Sequence, residues 1–322
     1  MSYVAGDKIL DQEYNNFLNS SGAVKGINYT FGTGALAHGL GQTALSSVTV
    51  GDKITASQWN SLFSAMDNVA NHANDTLTST EAKSAGDVIA VKAALEADLT
   101  TLAASVANGC PNATALSTSA ALQTSASGTR YTGSHVVEHS ITFTNANEAR
   151  FFFNAGGKIQ INITRTGNGG SSATSKDSSV DQLISALGDF RLKSQNSSRS
   201  GTGETLTEDG TNIGFYELTT TYQTIVELTQ DSGTYTTMFF KVEAKADAAA
   251  GSATVVTIRT RIVDPDSGDS EFTAGNTSGV DQYANFIGTT NVVLKTVNPT
   301  TAEGLATVYT PASTAVVSNT TT

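Results

Sequence analysis

The chain has 322 residues, 39% of them hydrophobic, 15% charged and only four proline, with a formal net charge of -11. That length and apolar content support two domains with real cores, and the charged fraction lies below the roughly 25% usual for globular chains. An acidic balance with no Lys/Arg cluster argues against nucleic-acid binding, and no window approaches the ~18 apolar residues of a membrane span.

The opening, MSYVAGDKILDQ, lacks a basic stretch followed by an apolar run, so the expectation is a product of the cytoplasm with no secretory signal. It also begins a repeat. Gly6-Asp7-Lys8-Ile9 matches Gly51-Asp52-Lys53-Ile54, and in the stretches 6–17 and 51–62 Tyr14 falls on Trp59, Asn15 on Asn60 and Phe17 on Leu62. Two copies are too few for a stacked array, so they read as a paired element. Each copy predicts an extended lead-in and then a helix whose first turn carries a large aromatic. Asp11 is the expected cap of the first helix, which stops at Ser20-Ser21-Gly22. In the second, Thr55-Ala56-Ser57-Gln58 is a capping box, and Trp59, Leu62, Phe63, Met66, Val69, Ala70 and Ala73 follow at helical spacing.

A third helix is predicted from about Asp87 to Ala107 by Val88, Val91, Leu95, Leu99, Leu102 and Val106, with Gly109 placed as its C-cap. Residues 1–110 thus form a helical domain. Residues 111–130, rich in Ser, Thr and Ala, read as a linker. From Tyr131 the period changes to two. Val137, His139, Ile141 and Phe143 alternate with polar neighbours, as do Ile159, Ile161 and Ile163, then Met238, Phe240 and Val242, then Val256, Ile258 and Ile262. Turn signals at Gly156-Gly157, Asp209-Gly210, Asp231-Ser232-Gly233 and Asp266-Ser267-Gly268 separate them. The expected fold is α+β, with 131–322 forming an antiparallel, jelly-roll-like β-sandwich interrupted by one helix, Ser178–Leu187, capped by Asp177 or Ser178. The last twenty or so residues, low in charge and rich in β-branched side chains, either complete the sandwich or reach into a neighbouring chain.

The candidate chemistry is thin. His135-Val136-Val137-Glu138-His139 matches the H-x-x-E-H pattern of a zinc peptidase class, but that pattern needs a helix, where residues four apart lie about 6 Å along the axis. Here the alternation is a strand's, which separates the histidines by roughly 13 Å, so no metal site is expected. Asp264-Pro265-Asp266-Ser267-Gly268-Asp269-Ser270-Glu271 resembles a calcium loop but has glycine fifth rather than sixth; a hairpin loop explains it equally. Phe151-Phe152-Phe153 suggests either core at a strand end or a sugar-stacking surface. The glycine-rich stretches lack a phosphate-loop ending, no Gly-x-Ser-x-Gly elbow occurs, and Cys110 is a lone thiol just past a helix end. No catalytic residue and no cofactor is expected. Tyr14, Phe17, Trp59 and Leu62 have two readings, a docking or self-association surface and the helical domain's own core.

The segments GDKILDQEYNNFLNS, ITASQWNSLFSAMDNVANHAND and HSITFTNANEARFFFNAGGKIQINITRTG resemble virion structural proteins of tailed bacteriophages, especially marine and cyanobacterial myophages. The resemblance runs over most of the chain outside the Ser/Thr stretch. It implies a tail, baseplate, neck or fibre component, assembled in the infected cytoplasm, present in several copies as a homo-oligomer and partnered by other virion proteins. A capsid decoration protein, a module binding host surface glycans and a depolymerase are the competing readings.

Overall fold

The computed structural model describes residues 10–20, 24–32, 39–87, 92–110, 112–131, 133–168, 174–231, 235–249, 251–265 and 286–322. The fold is α+β, with helices concentrated toward the N-terminus and an antiparallel body after them. Two compact units divide the chain. The first takes residues 1–117, 145–157 and 298–310, and the second takes 118–144, 158–297 and 311–322.

The first unit holds α1 (Asp11–Asn19), α2 (Ile27–Thr30), α3 (Ala56–Ala73), α4 (Lys92–Ala107) and, later in the chain, α5 (Ala146–Asn154). Thr55 starts α3 through a reciprocal capping box: its Oγ1 accepts the Gln58 amide and Gln58 Oε1 accepts the Thr55 amide. In α1 the cap differs from expectation. Asp11 lies inside the first turn, and the preceding Leu10 amide donates to Glu13 instead. Leu95, Leu99, Leu102 and Val106 of α4 are buried in one core, and Gly109 takes φ +76°, the left-handed conformation a C-cap requires. Val88 and Val91, with Gly6–Ile9 of the repeat, lie outside the described residues.

The second unit contains two six-stranded antiparallel sheets and a two-stranded ribbon. The strands, which lie in the second unit except for the first two residues of β1 and the last two of β13, are β1 (Leu116–Thr118), β2 (Gln123–Ala126), β3 (Arg130–Tyr131), β4 (Ser134–Thr142), β5 (Lys158–Thr166), β6 (Phe190–Leu192), β7 (Ser197–Arg199), β8 (Thr205–Asp209), β9 (Gln223–Thr229), β10 (Phe239–Ala246), β11 (Val255–Val263), β12 (Phe286–Ile287), β13 (Thr289–Pro299) and β14 (Ser313–Thr321). One sheet runs β1-β13-β5-β6-β7, with β2 also on β13; the other runs β14-β4-β11-β10-β9-β8; β12 pairs β3. Alternation fixes the register. Val137, His139 and Ile141 of β4 face inward beside Thr260, Ile258 and Val256 of β11, while Glu138 faces outward opposite Arg259. On that outer face Arg259 bonds Glu243 at 2.7 Å, lies 3.6 Å from Glu138 and stacks 3.9 Å from the centre of the Tyr222 ring. Helix α6 (Ser175–Leu187) packs against strands of both sheets and ends at Gly188, whose φ is +60°.

Two expectations need correction. Residues 111–130 are not a bare linker: they supply β1 and β2, and the Ser127 amide and hydroxyl both bond the Thr290 backbone. A strand at a sheet margin can be built from Ser and Thr because its ladder is made by the backbone, so the missing apolar alternation concealed it. Phe151-Phe152-Phe153 do not end a strand; they belong to α5, where Asn145 caps the helix by accepting the Glu148 amide. All three rings are buried, which removes them as a sugar-stacking surface.

Candidate functional site

The repeated segment resolves into a paired packing device. Tyr14 and Trp59, which align in the repeat, meet edge to face at 5.3 Å between ring centres, and Tyr14 Oη donates to the Gln58 carbonyl at the start of α3. Phe17 and Phe63 flank the same indole at 5.9 and 5.8 Å. Tyr14, Phe17, Trp59 and Leu62 are buried within a single chain, so they form the first unit's own core and the docking-surface reading is withdrawn. Burial also pushes the Tyr14 phenol up to about 12.

The repeat's asparagines carry a second shared role. Asn15 donates from Nδ2 to the Val48 carbonyl and accepts the Val48 amide at Oδ1, both at 2.9 Å. Asn60, its counterpart, does the same to Lys83, at 3.0 and 2.8 Å. Each side-chain amide mimics a neighbouring strand and holds one extended residue against its helix, saturating backbone groups that would otherwise need water. Asn28 repeats the geometry on Leu45, with both bonds at 2.8 Å. The match at Asn15 and Asn60 was visible in the sequence; what the amides grip was not.

Among the described residues, a group of buried charges lies in the second unit at the start of α6. Thr174 caps the helix, its Oγ1 accepting the Asp177 amide while Asp177 Oδ2 accepts the Thr174 amide. Asp177 is thus the third helical residue rather than the cap. Its other oxygen, Oδ1, accepts from Arg165 Nη2 at 2.7 Å and from the Ile287 amide at 2.9 Å. Arg165 extends from β5 and also donates through Nη1 to Asp181 at 2.9 Å and through Nη2 to the Ile287 carbonyl. One residue before Asp177, the Lys176 ammonium lies 2.6 Å from Asp264, with neither side chain exposed, and sits 4.9 Å from the centre of the Phe286 ring. Phe286 stacks on Tyr131 at 4.8 Å, and the Tyr131 hydroxyl shares a hydrogen bond with Thr290. Burial raises the Tyr131 phenol above its ordinary range.

Consecutive residues of one helical turn therefore hold two distant parts of the chain. Lys176 holds Asp264 just after β11, and Asp177 holds Ile287 in β12. The charges fix backbone and one another in low dielectric, where an unpaired ion would cost several kcal/mol. Lys176 and Asp177 read in sequence only as a helix start because their partners lie far along the chain, Ile287 being 110 residues from Asp177. From Asp266 onward the stretch weighed as a calcium loop lies outside the described residues, while Asp264 itself is engaged by Lys176.

The two histidines of H-x-x-E-H lie on one face of β4, as a strand requires, and bond different partners: His135 donates to Asn319 at 2.9 Å and His139 shares a hydrogen bond with Ser125 at 3.1 Å. Burial lowers both imidazoles, His139 to about 4. His72, at the end of α3, bonds the Ala155 carbonyl and is likewise lowered by burial. Cys110 is buried, and its thiol is raised far above the ordinary range by desolvation, which makes it inert packing. Among the described residues no three His, Cys, Asp or Glu side chains are placed to hold a metal ion, and no helix is long and apolar enough to cross a membrane. Comparison with protein-family models, with curated proteins and with solved structures finds no match to this chain.

Proposed function

We propose that this chain is a structural component of a tailed bacteriophage virion, a tail, baseplate, neck or fibre part whose work is to hold shape and assemble with other virion proteins. The observation that carries the reading is how its interior polar groups are used. Arg165, Asp177, Lys176 and Asp264 pin remote chain segments to α6, and Asn15, Asn28 and Asn60 pin extended segments in the helical unit. These bonds rigidify a scaffold. The same stretches carry the resemblance: ITASQWNSLFSAMDNVANHAND supplies the cap, the indole and the Asn60 clamp of α3, and HSITFTNANEARFFFNAGGKIQINITRTG supplies the end of β4 from His139, all of α5 and Arg165.

Gold-labelled antibody against the purified chain, applied to the phage particles of the lysate that produces it, tests the reading. Labelling at a fixed position on the tail supports it. Labelling confined to heads converts it to a capsid decoration role, and unlabelled particles overturn it.

A further inference from the structure

The C-terminal strand β14 ends the sheet β14-β4-β11-β10-β9-β8 and, among the described residues, pairs through its backbone ladder on one side only, with β4, while the side chains of Gln123 and Asn319 tie it to β2. None of its nine residues is buried. Five large hydrophobic side chains are exposed among the described residues, and three of them gather at this edge: Val316 at 40%, Val317 at 57%, and Leu122 at 39%, which directly precedes Gln123, whose amide donates to the Thr314 carbonyl. Val316 shares the inward face with His139, its partner on β4, yet stays 40% exposed, and Val317 occupies the bulge.

Sheet edges of soluble chains are ordinarily blunted by charge, by proline or by bulges, because a row of unpaired amides recruits another strand. On β14 the only such device is the bulge between Val316 and Ser318. Residues 304–322 carry no charged side chain, in a chain whose net charge is -11. That contrast selects the partner. Two copies of an acidic chain repel wherever their charged surfaces meet, and the neutral strip is where they approach at least cost; a basic partner would find its complement on the acidic surface instead.

We propose that β14 is the surface through which two copies of this chain join, edge to edge and antiparallel across a two-fold axis. Residues 313–321 place Val317 at the middle of the strand, so the exposed valines of one copy meet those of the other while outward backbone groups around the bulge, apart from the Thr314 carbonyl already held by Gln123, complete each other's ladder. The proposal names the partner and the surface of the assembly described above, and rests on that reading only for its biological setting.

The test is the mass of the full-length chain in solution by light scattering after size exclusion, for the parent protein and for a Val316→Lys/Val317→Lys variant. The parent is expected at twice the 33.3 kDa chain mass. The variant is expected at the single-chain mass and with a cooperative melting transition retained, because both positions are at least 40% exposed. Val317→Cys supplies a second arm: mild oxidation should yield a covalent dimer through the new thiol, since Cys110 is buried. A single-chain mass for the parent, or a dimer indifferent to both lysines, overturns the proposal; should the lysines unfold the chain, the cysteine arm decides, a covalent dimer supporting it and none overturning it. A monomer that still labels particles sinks this proposal alone, and a dimer absent from particles sinks only the virion reading.

Discussion

At the residue scale, several side chains matter through what they hold. Asn60 saturates both backbone groups of Lys83, so Asn60→Ala leaves an amide and a carbonyl seeking partners. A loss of about 2 kcal/mol is expected, read as a lower midpoint in urea unfolding, with Asn15→Ala behaving alike at Val48. Lys176 and Asp264 make a sharper case, because a charge stripped of its partner at zero exposure is worse than no charge. Lys176→Met should cost about 3–5 kcal/mol, whereas Lys176→Met combined with Asp264→Leu should recover most of that loss. Urea midpoints of both variants check the pair; equal destabilisation by the single and the double change would show that packing rather than charge decides.

At the element scale, legibility followed periodicity. Helix α3 was readable because its cap and apolar face are both local signals, and β4, β5, β10 and β11 were readable because each alternates against one core. Strands β1 and β2 were hidden, since Ser and Thr contribute ladder bonds without apolar marks. The run of Phe in α5 suggests a strand, although Asn145 three residues before Glu148 is a capping signal that outweighs aromatic β-propensity. Strand β4 also carries a pH response. Its His135 and His139 are held neutral by burial, His139 titrating near 4 in the folded chain, below the 6.5 of an exposed imidazole. The unfolded chain therefore takes up these protons first; stability is fully present above pH 6.5 and falls as pH drops from 6.5 toward 4, by roughly 3 kcal/mol for His139 alone. His139→Gln should flatten the pH dependence of the unfolding midpoint in that window, and an unchanged slope would count against the buried neutral state.

At the scale of the whole molecule, the α+β class was legible because period 3.6 gives way to period 2 along the chain, but the limits of the units were not. The helical unit gathers residues 145–157 and 298–310 from within and beyond the β body, and no composition shift marks those returns. The charge cluster at α6 was invisible for the same reason, its members being brought together only by the sheets. The candidate assembly residues illustrate the general point: Tyr14 and Trp59 were correctly singled out as a pair, yet only packing shows that they face each other. The proposed role is that of a building part of a phage particle. Quantitative mass spectrometry of density-purified particles tests it most directly: the account predicts the chain in several copies per particle, retained through repeated banding, and its presence only in the soluble lysate would contradict it.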